Sequence, residues 1–78
     1  MIIKYDKEAD AIYIRFNDAP YAYGRDLDNE RRIDYGANGE PRGVELLCVS
    51  DGVITDDLPY HAEIEQLLGE YHILNVIS

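Results

Sequence analysis

The chain has one cysteine, one phenylalanine, one methionine, no tryptophan and only seven lysines and arginines in 78 residues. A single cysteine, Cys48, excludes an intramolecular disulfide. No apolar run approaches the ~20 residues that a membrane-spanning helix needs. The opening MIIKYD lacks the basic and long apolar regions of a secretory signal. A free thiol without an export signal gives the expectation of a soluble cytoplasmic protein. The seven bases face sixteen acids, for a formal net charge of −9. Such a surface repels phosphate backbones, which disfavours direct binding of nucleic acid or an anionic membrane. A basic protein partner or divalent cations suit it better, and solubility alone is the simplest reason for it.

The length allows one small domain over residues 1–78, with no room for a second core. A chain this short buries only about 60–65% of its unfolded surface. Its stability is then a few kcal/mol unless a metal or a partner staples it, so self-association as a homodimer is the expectation. The charge is uneven. Lys4, Lys7, Arg15 and Arg25 balance Asp6, Glu8, Asp10 and Asp18 up to residue 25, and the acidic excess lies beyond.

Ile2, Ile3 and Tyr5 read as a short strand, followed by the turn Asp6 to Asp10, whose acids suit turn amides. From Ala11 to Phe16 the apolar Ile12, Ile14 and Phe16 alternate with Tyr13 and Arg15, the pattern of a strand with one buried face. These two strands form a hairpin. Asn17 to Glu30 is polar and holds Pro20 and Gly24, so it reads as a connection in which Tyr21 and Tyr23 could form an edge segment. Arg31 to Tyr35 is a third strand, and Asn38-Gly39 is a hairpin turn. Pro41 then marks a strand start or a bulge. Val44, Leu46 and Cys48 alternate with Glu45, Leu47 and Val49, so this strand is central or covered on both faces. Cys48 within that run reads as a small inert hydrophobe. After Ser50-Asp51-Gly52 the period changes. Tyr60, Ile64, Leu67, Leu68 and Tyr71 form one stripe of an amphipathic helix, with Pro59 at its start and Gly69 at its end. Tyr71 to Ile77 is a fifth strand or a continuation of the helix. As a last strand with little sequence left to cover it, it is a candidate for pairing with another copy.

Tyr5-Asp6, Glu8-Ala9-Asp10-Ala11 and Tyr13-Ile14, then Gly43-Val44-Glu45-Leu46-Leu47 and Ser50, resemble a bacterial family catalogued as domain of unknown function 2283. Its members look like YD-x-EADALYI followed by an acidic segment and G-x-VVGIEIL-x-AS. The resemblance covers roughly residues 4–50. Pro41-Arg42 stands here where an apolar pair is usual, and Cys48-Val49 where the end is commonly polar or small. Residues 53–78 resemble the helical extension of longer members. The resemblance implies a sheet of two hairpins with a packed helix, and supplies no catalytic residues. It hints at an antitoxin-like partner role, because some relatives are encoded beside small toxin-like proteins.

Candidate chemistry is sparse. Neither acidic cluster, Asp6 to Asp10 nor Asp26 to Glu30, has glycine and glutamate where a calcium loop needs them. His61 and Glu65 share a helix face and could begin a zinc or iron site, but a working site wants three or four ligands and His72 is the only other histidine. Ser50 and Ser78 lack a nucleophile elbow. The resulting expectation is an α+β fold: an antiparallel sheet of four or five strands over residues 1–50, then a helix and a C-terminal strand over 51–78. The functional expectation is a non-catalytic interaction module that binds no cofactor. It acts as a homodimer and as the acidic partner of a basic toxin-like protein, with Tyr13, Leu47, Val49, Ile73 and Val76 at the interface. The alternative is a metal-dependent hydrolase or metal-binding protein that uses carboxylates and His61.

Overall fold

The computed structural model describes residues 1–71, 73, 76 and 77, the last two by backbone alone. Strands β1 (Ile2–Asp6), β2 (Ala11–Arg15), β3 (Tyr21–Asp26), β4 (Arg31–Gly36) and β5 (Pro41–Leu47) build an antiparallel sheet in the order β1-β2-β5-β4-β3. A 3-10 turn (Val49–Asp51), β6 (Val53–Ile54), the helix α1 (His61–Glu70) and β7 (Val76–Ile77) follow, with β6 and β7 pairing in parallel. The α+β expectation is met, with five strands in the main sheet.

The alternation in β2 and β5 decides which face is dry. Ile12 pairs with Leu46 and Ile14 with Val44, and all four are buried on the face that meets α1. Ile64 and Leu68 of α1 join them, with Ile33, Val49, Val53, Leu58 and Ile73, in one core. Fully burying each such side chain contributes about 1.5–3 kcal/mol of transfer free energy. The turn after β4 uses Asn38-Gly39, but only Gly39 is left-handed, at φ 81°. The Gly39 N–H donates to the Gly36 carbonyl at 3.0 Å, giving a longer loop than a two-residue turn with two left-handed residues.

Four placements differ from the pattern reading. The segment Tyr21 to Asp26 is a full edge strand, because β4 supplies it with a ladder that composition does not reveal. Strand β5 stops at Leu47. Cys48 then turns left-handed at φ 55°, so the thiol is exposed and Val49 swings into the core. The helix begins at His61, two residues after Pro59, with Tyr60 left-handed at its N-cap and its ring edge-on to Phe16 at 4.9 Å. The last strand, Val76–Ile77, pairs in parallel with Val53–Ile54 in a separate two-stranded sheet and adds no strand to the main one.

One cation clamps this last layer to the sheet. The Arg31 side chain, only 12% exposed, donates from Nη1 to the carbonyls of Ile54 (3.1 Å) and Asp56 (2.6 Å) and pairs through Nε with Asp28 at 2.9 Å. Hydrogen bonds from a charged donor are each worth about 1.5–3 kcal/mol when held this way. Arg31→Ala is expected to lower stability by about 2 kcal/mol in urea unfolding. Arg31→Lys is expected to recover less than half of that, since an ammonium cannot reproduce the fork. Full recovery by lysine would show that charge alone holds the clamp.

Candidate functional site

The sheet face away from α1 is polar and ordered in rows. Pairing across the strands aligns Lys4, Tyr13, Glu45, Arg32 and Asp26 in one row, and Ile2, Arg15, Gly43, Asp34 and Gly24 in the next. Tyr13 crosses from the first row to the second. Its phenol lies over Gly43, where an added Cβ would sit 2.6 Å from the hydroxyl oxygen and 2.7 Å from the Ile14 carbonyl oxygen. The hydroxyl donates to Asp34 Oδ2 at 3.0 Å and accepts from Arg42 Nη1 at 2.9 Å. Arg42 is the extra residue of a bulge: Asp34 pairs with Gly43 but Tyr35 with Pro41. Bulges re-aim side chains. Here Arg42 reaches the outer face, where its Nε also donates to the Ala19 carbonyl at 2.6 Å. Burial, then the hydrogen bond to Asp34 and that carboxylate's charge, push the Tyr13 phenol above its ordinary pKa, against the opposing pull of Arg42.

A groove of about 210 Å³ lies at the other end of β4 and β5, between the turn after β3 and strand β6. Leu47 (39% exposed) and Ile54 (42% exposed) give it apolar walls, Asp28 and Glu30 stand at its rim, and Arg31 closes its floor. The Asp28 carboxylate is set by three donors: the Glu30 amide at 2.9 Å, the Arg31 Nε at 2.9 Å and the Arg31 amide. These bonds, the Glu30 amide first, hold its pKa below the usual range.

Of the residues expected at an interface, Leu47 is exposed in this groove and Tyr13 is half-buried within its own hydrogen-bond network. Val49 and Ile73 are inside the core, 2% and 9% exposed, so as buried side chains they present no surface to a partner. The backbone of Val76 pairs with Val53, and its side chain lies outside the described residues. His61 is exposed at the start of α1, while Glu65 accepts a 2.7 Å hydrogen bond from the buried Thr55 hydroxyl. His72 lies outside the described residues, among which no group of three or more His, Cys, Asp or Glu side chains is placed to hold a metal. The turn acids are committed locally: Asp6 accepts from the Ala9 amide, and Asp26 pairs with Arg32. The Cys48 thiol is exposed, yet its pKa is raised, first by desolvation and then by the charges of Glu30, Asp51 and Asp10. Low nucleophilicity thus follows from local surroundings and charge, without the burial expected from its apolar neighbours. The Arg31 clamp was not foreseen. Pro41, read as a strand start or a bulge, begins β5, and the register shift lies beside it.

Two contacts tie the two motifs of the sequence together. Tyr13 lies over Gly43, and Asp10, left-handed at φ 54°, accepts from both the amide (2.9 Å) and the hydroxyl (2.6 Å) of Ser50. Sheet, helix and motif contacts define a small α+β fold with one core. The chain belongs to the family described as protein of unknown function (DUF2283), whose family model matches residues 2–50. No curated protein and no solved structure compared with the chain gives a match. No helix among the described residues is long and apolar enough to cross a membrane.

Gly43→Ala is expected to cost about 1–3 kcal/mol in denaturant unfolding, because the new methyl meets both the phenol and a backbone carbonyl. Gly43→Ala combined with Tyr13→Ala is expected to regain only the phenol's share of that loss. An unchanged midpoint for the single variant would refute the close approach. For Tyr13, the fold favours the neutral phenol, so its contribution is complete below the ordinary pKa near ~10 and is lost as pH rises through the higher folded value. Carbon-13 labelling of the tyrosine Cζ, with Tyr13→Phe to assign the signal, is expected to place its midpoint above the free value. A midpoint at or below that value would contradict the reading.

Proposed function

We propose that this protein is a non-catalytic protein-interaction module whose groove beside Leu47 and Ile54 takes a basic partner segment carrying an apolar anchor. The observation behind this reading is the pairing of exposed apolar walls with the carboxylates of Asp28 and Glu30. An apolar centre inside a polar rim is the anatomy of a protein interface. The volume of about 210 Å³ falls below the roughly 300–1,000 Å³ of small-molecule pockets and suits one anchoring side chain. The net charge of −9 steers a cationic partner toward it and repels anionic ones. An antitoxin-like role beside a basic toxin-like protein is one form of the same reading.

Self-association is a second reading, favoured by the exposure of Leu27, Leu47 and Ile54. A two-fold contact through the groove would set Asp28 and Glu30 of two copies against each other, so such a dimer would strengthen with salt. A basic heteropartner would bind more weakly with salt, as screening sets in over ~8 Å at physiological ionic strength.

The test is calorimetry of the full chain with a short peptide of alternating lysine and leucine, with oligolysine as control, paired with light scattering over dilution and salt. The expected result is binding that weakens with salt, exceeds that of oligolysine, and falls about tenfold in Leu47→Asp, equivalent to about 1.4 kcal/mol. Equal binding of both peptides, unaffected by Leu47→Asp, would reduce the groove to generic charge and end the proposal. A dimer that grows with salt and dissociates in Leu47→Asp would favour the second reading.

A further inference from the structure

One end of the outer sheet face runs against the charge of the whole molecule. The protein carries −9 overall, yet a concavity of about 250 Å³ at the β1–β2 end of this face is lined by Ile2, Lys4, Tyr13, Arg15 and Arg42, three cations with no carboxylate among them. Cross-strand pairing places Lys4 beside Tyr13 and Ile2 beside Arg15, so the two rows of the face converge there. Among the described residues, Lys4 and Arg42 have no carboxylate within ion-pair distance, and Arg15 meets only Asp18, at 3.4 Å and in solvent. Cations in an acidic protein ordinarily find acids. These three stand together without one lining the cavity.

Arg42 is also prepositioned. Its Nε is held by the Ala19 carbonyl and its Nη1 by the Tyr13 hydroxyl, both neutral acceptors that fix the fork, with the Asp34 carboxylate beyond the hydroxyl. The hydroxyl proton of Tyr13 goes to Asp34, so Tyr13 contributes position and no donor of its own. Such an immobilised guanidinium loses little freedom on binding, and its planar fork matches the oxygens of phosphate or carboxylate.

The structure assigns to Lys4, Arg15 and Arg42 a site for a small phosphate-type oxyanion, separate from the groove beside Leu47. Three cations favour a dianion over a carboxylate, and Ile2 at the rim gives the carbon end of an organic phosphate an apolar neighbour. The acidic remainder of the protein opposes a polyanion, so the ligand is a small molecule and not a nucleic-acid backbone.

The test is titration of the nitrogen-15-labelled full chain with inorganic phosphate, phenyl phosphate and acetate at low ionic strength. Saturable shifts are expected in the amides of β1, β2 and Gly43 and at the Arg42 Nε, with millimolar affinity for phosphate and weaker binding of acetate. Tighter binding of phenyl phosphate would identify an organic carrier as the source of the phosphoryl group, and equal binding would identify free phosphate. Arg42→Gln is expected to weaken binding about tenfold or more, the worth of a charge-assisted hydrogen bond. Lys4→Gln is expected to weaken it about two- to fivefold, as for an exposed pair. Among the described residues the Lys4 side chain makes no hydrogen bond or ion pair, so its variant keeps the test valid if Arg42→Gln misfolds. Shifts that never saturate, that appear equally at Lys7 and Arg25, or that survive both substitutions would overturn the assignment, as would tighter binding of a single-stranded oligonucleotide.

Discussion

The pairing of β2 with β5 is the constraint on which the rest of the molecule depends. It joins the β1–β2 hairpin to the meander of β3, β4 and β5, closing a loop from Ala11 opposite Leu47 to Arg15 opposite Gly43. One residue of slip would carry Ile12 and Ile14 out of the core and Tyr13 into it. Contacts at both ends oppose that slip. Asp10 grips Ser50 at one end, and at the other the Phe16 amide donates to the Arg42 carbonyl at 2.8 Å. Between them the phenol over Gly43 adds a steric key that admits one register. The long-range entropy of closing this loop is recovered only when all three are made together.

That register also sorts the charge. Lys4, Arg15, Arg32 and Arg42 gather on the outer face, where Asp26, Asp34 and Glu45 answer them in part. Over half of the seven bases thus sit on one sheet face, and the acidic excess falls to the loops and the helix. With Asp6 at the end of β1, the acids of this face balance its bases, so the molecule is near neutral on one side and a strong anion elsewhere. A single net charge describes how it meets a distant partner, but the cationic concavity and the acidic groove select opposite ligands at contact range.

Much of the sheet was legible in the chain. The period-two alternation of Ala11 to Phe16 and of Val44 to Leu46, the Asn38-Gly39 turn and the position of Pro41 led to hairpins that the structure contains, and the stripe through Ile64 and Leu68 led to the helix. The misses share a physical reason. Tyr21 to Asp26 includes Gly24 and follows Pro20, so only Tyr21 and Tyr23 mark an edge segment locally, and the full strand forms because Arg31 to Gly36 offers it a ladder. Cys48 and Val49 continue the apolar alternation on paper, but a left-handed residue at Cys48 ends the strand and inverts both. Backbone handedness at a non-glycine residue leaves no trace in hydrophobic pattern. Among the candidate interface residues, Leu47 is exposed, whereas Val49, put outward by an alternation that ends at Leu47, and Ile73, from the C-terminal segment, are buried.

By itself, the sequence determined the class of fold, because alternation and turn chemistry act between near neighbours and are written in consecutive residues. It also determined the overall charge and the absence of a disulfide within the chain. Tertiary structure alone decided which charges meet. Arg31 finds the carbonyls of Ile54 and Asp56 across more than twenty positions, and Tyr13 joins Asp34 to Arg42 through a gap that Gly43 leaves open. Those contacts depend on strand order and on one bulge, which no local window of residues specifies. The cationic concavity and the acidic groove exist only because the sheet brings distant residues to a common face.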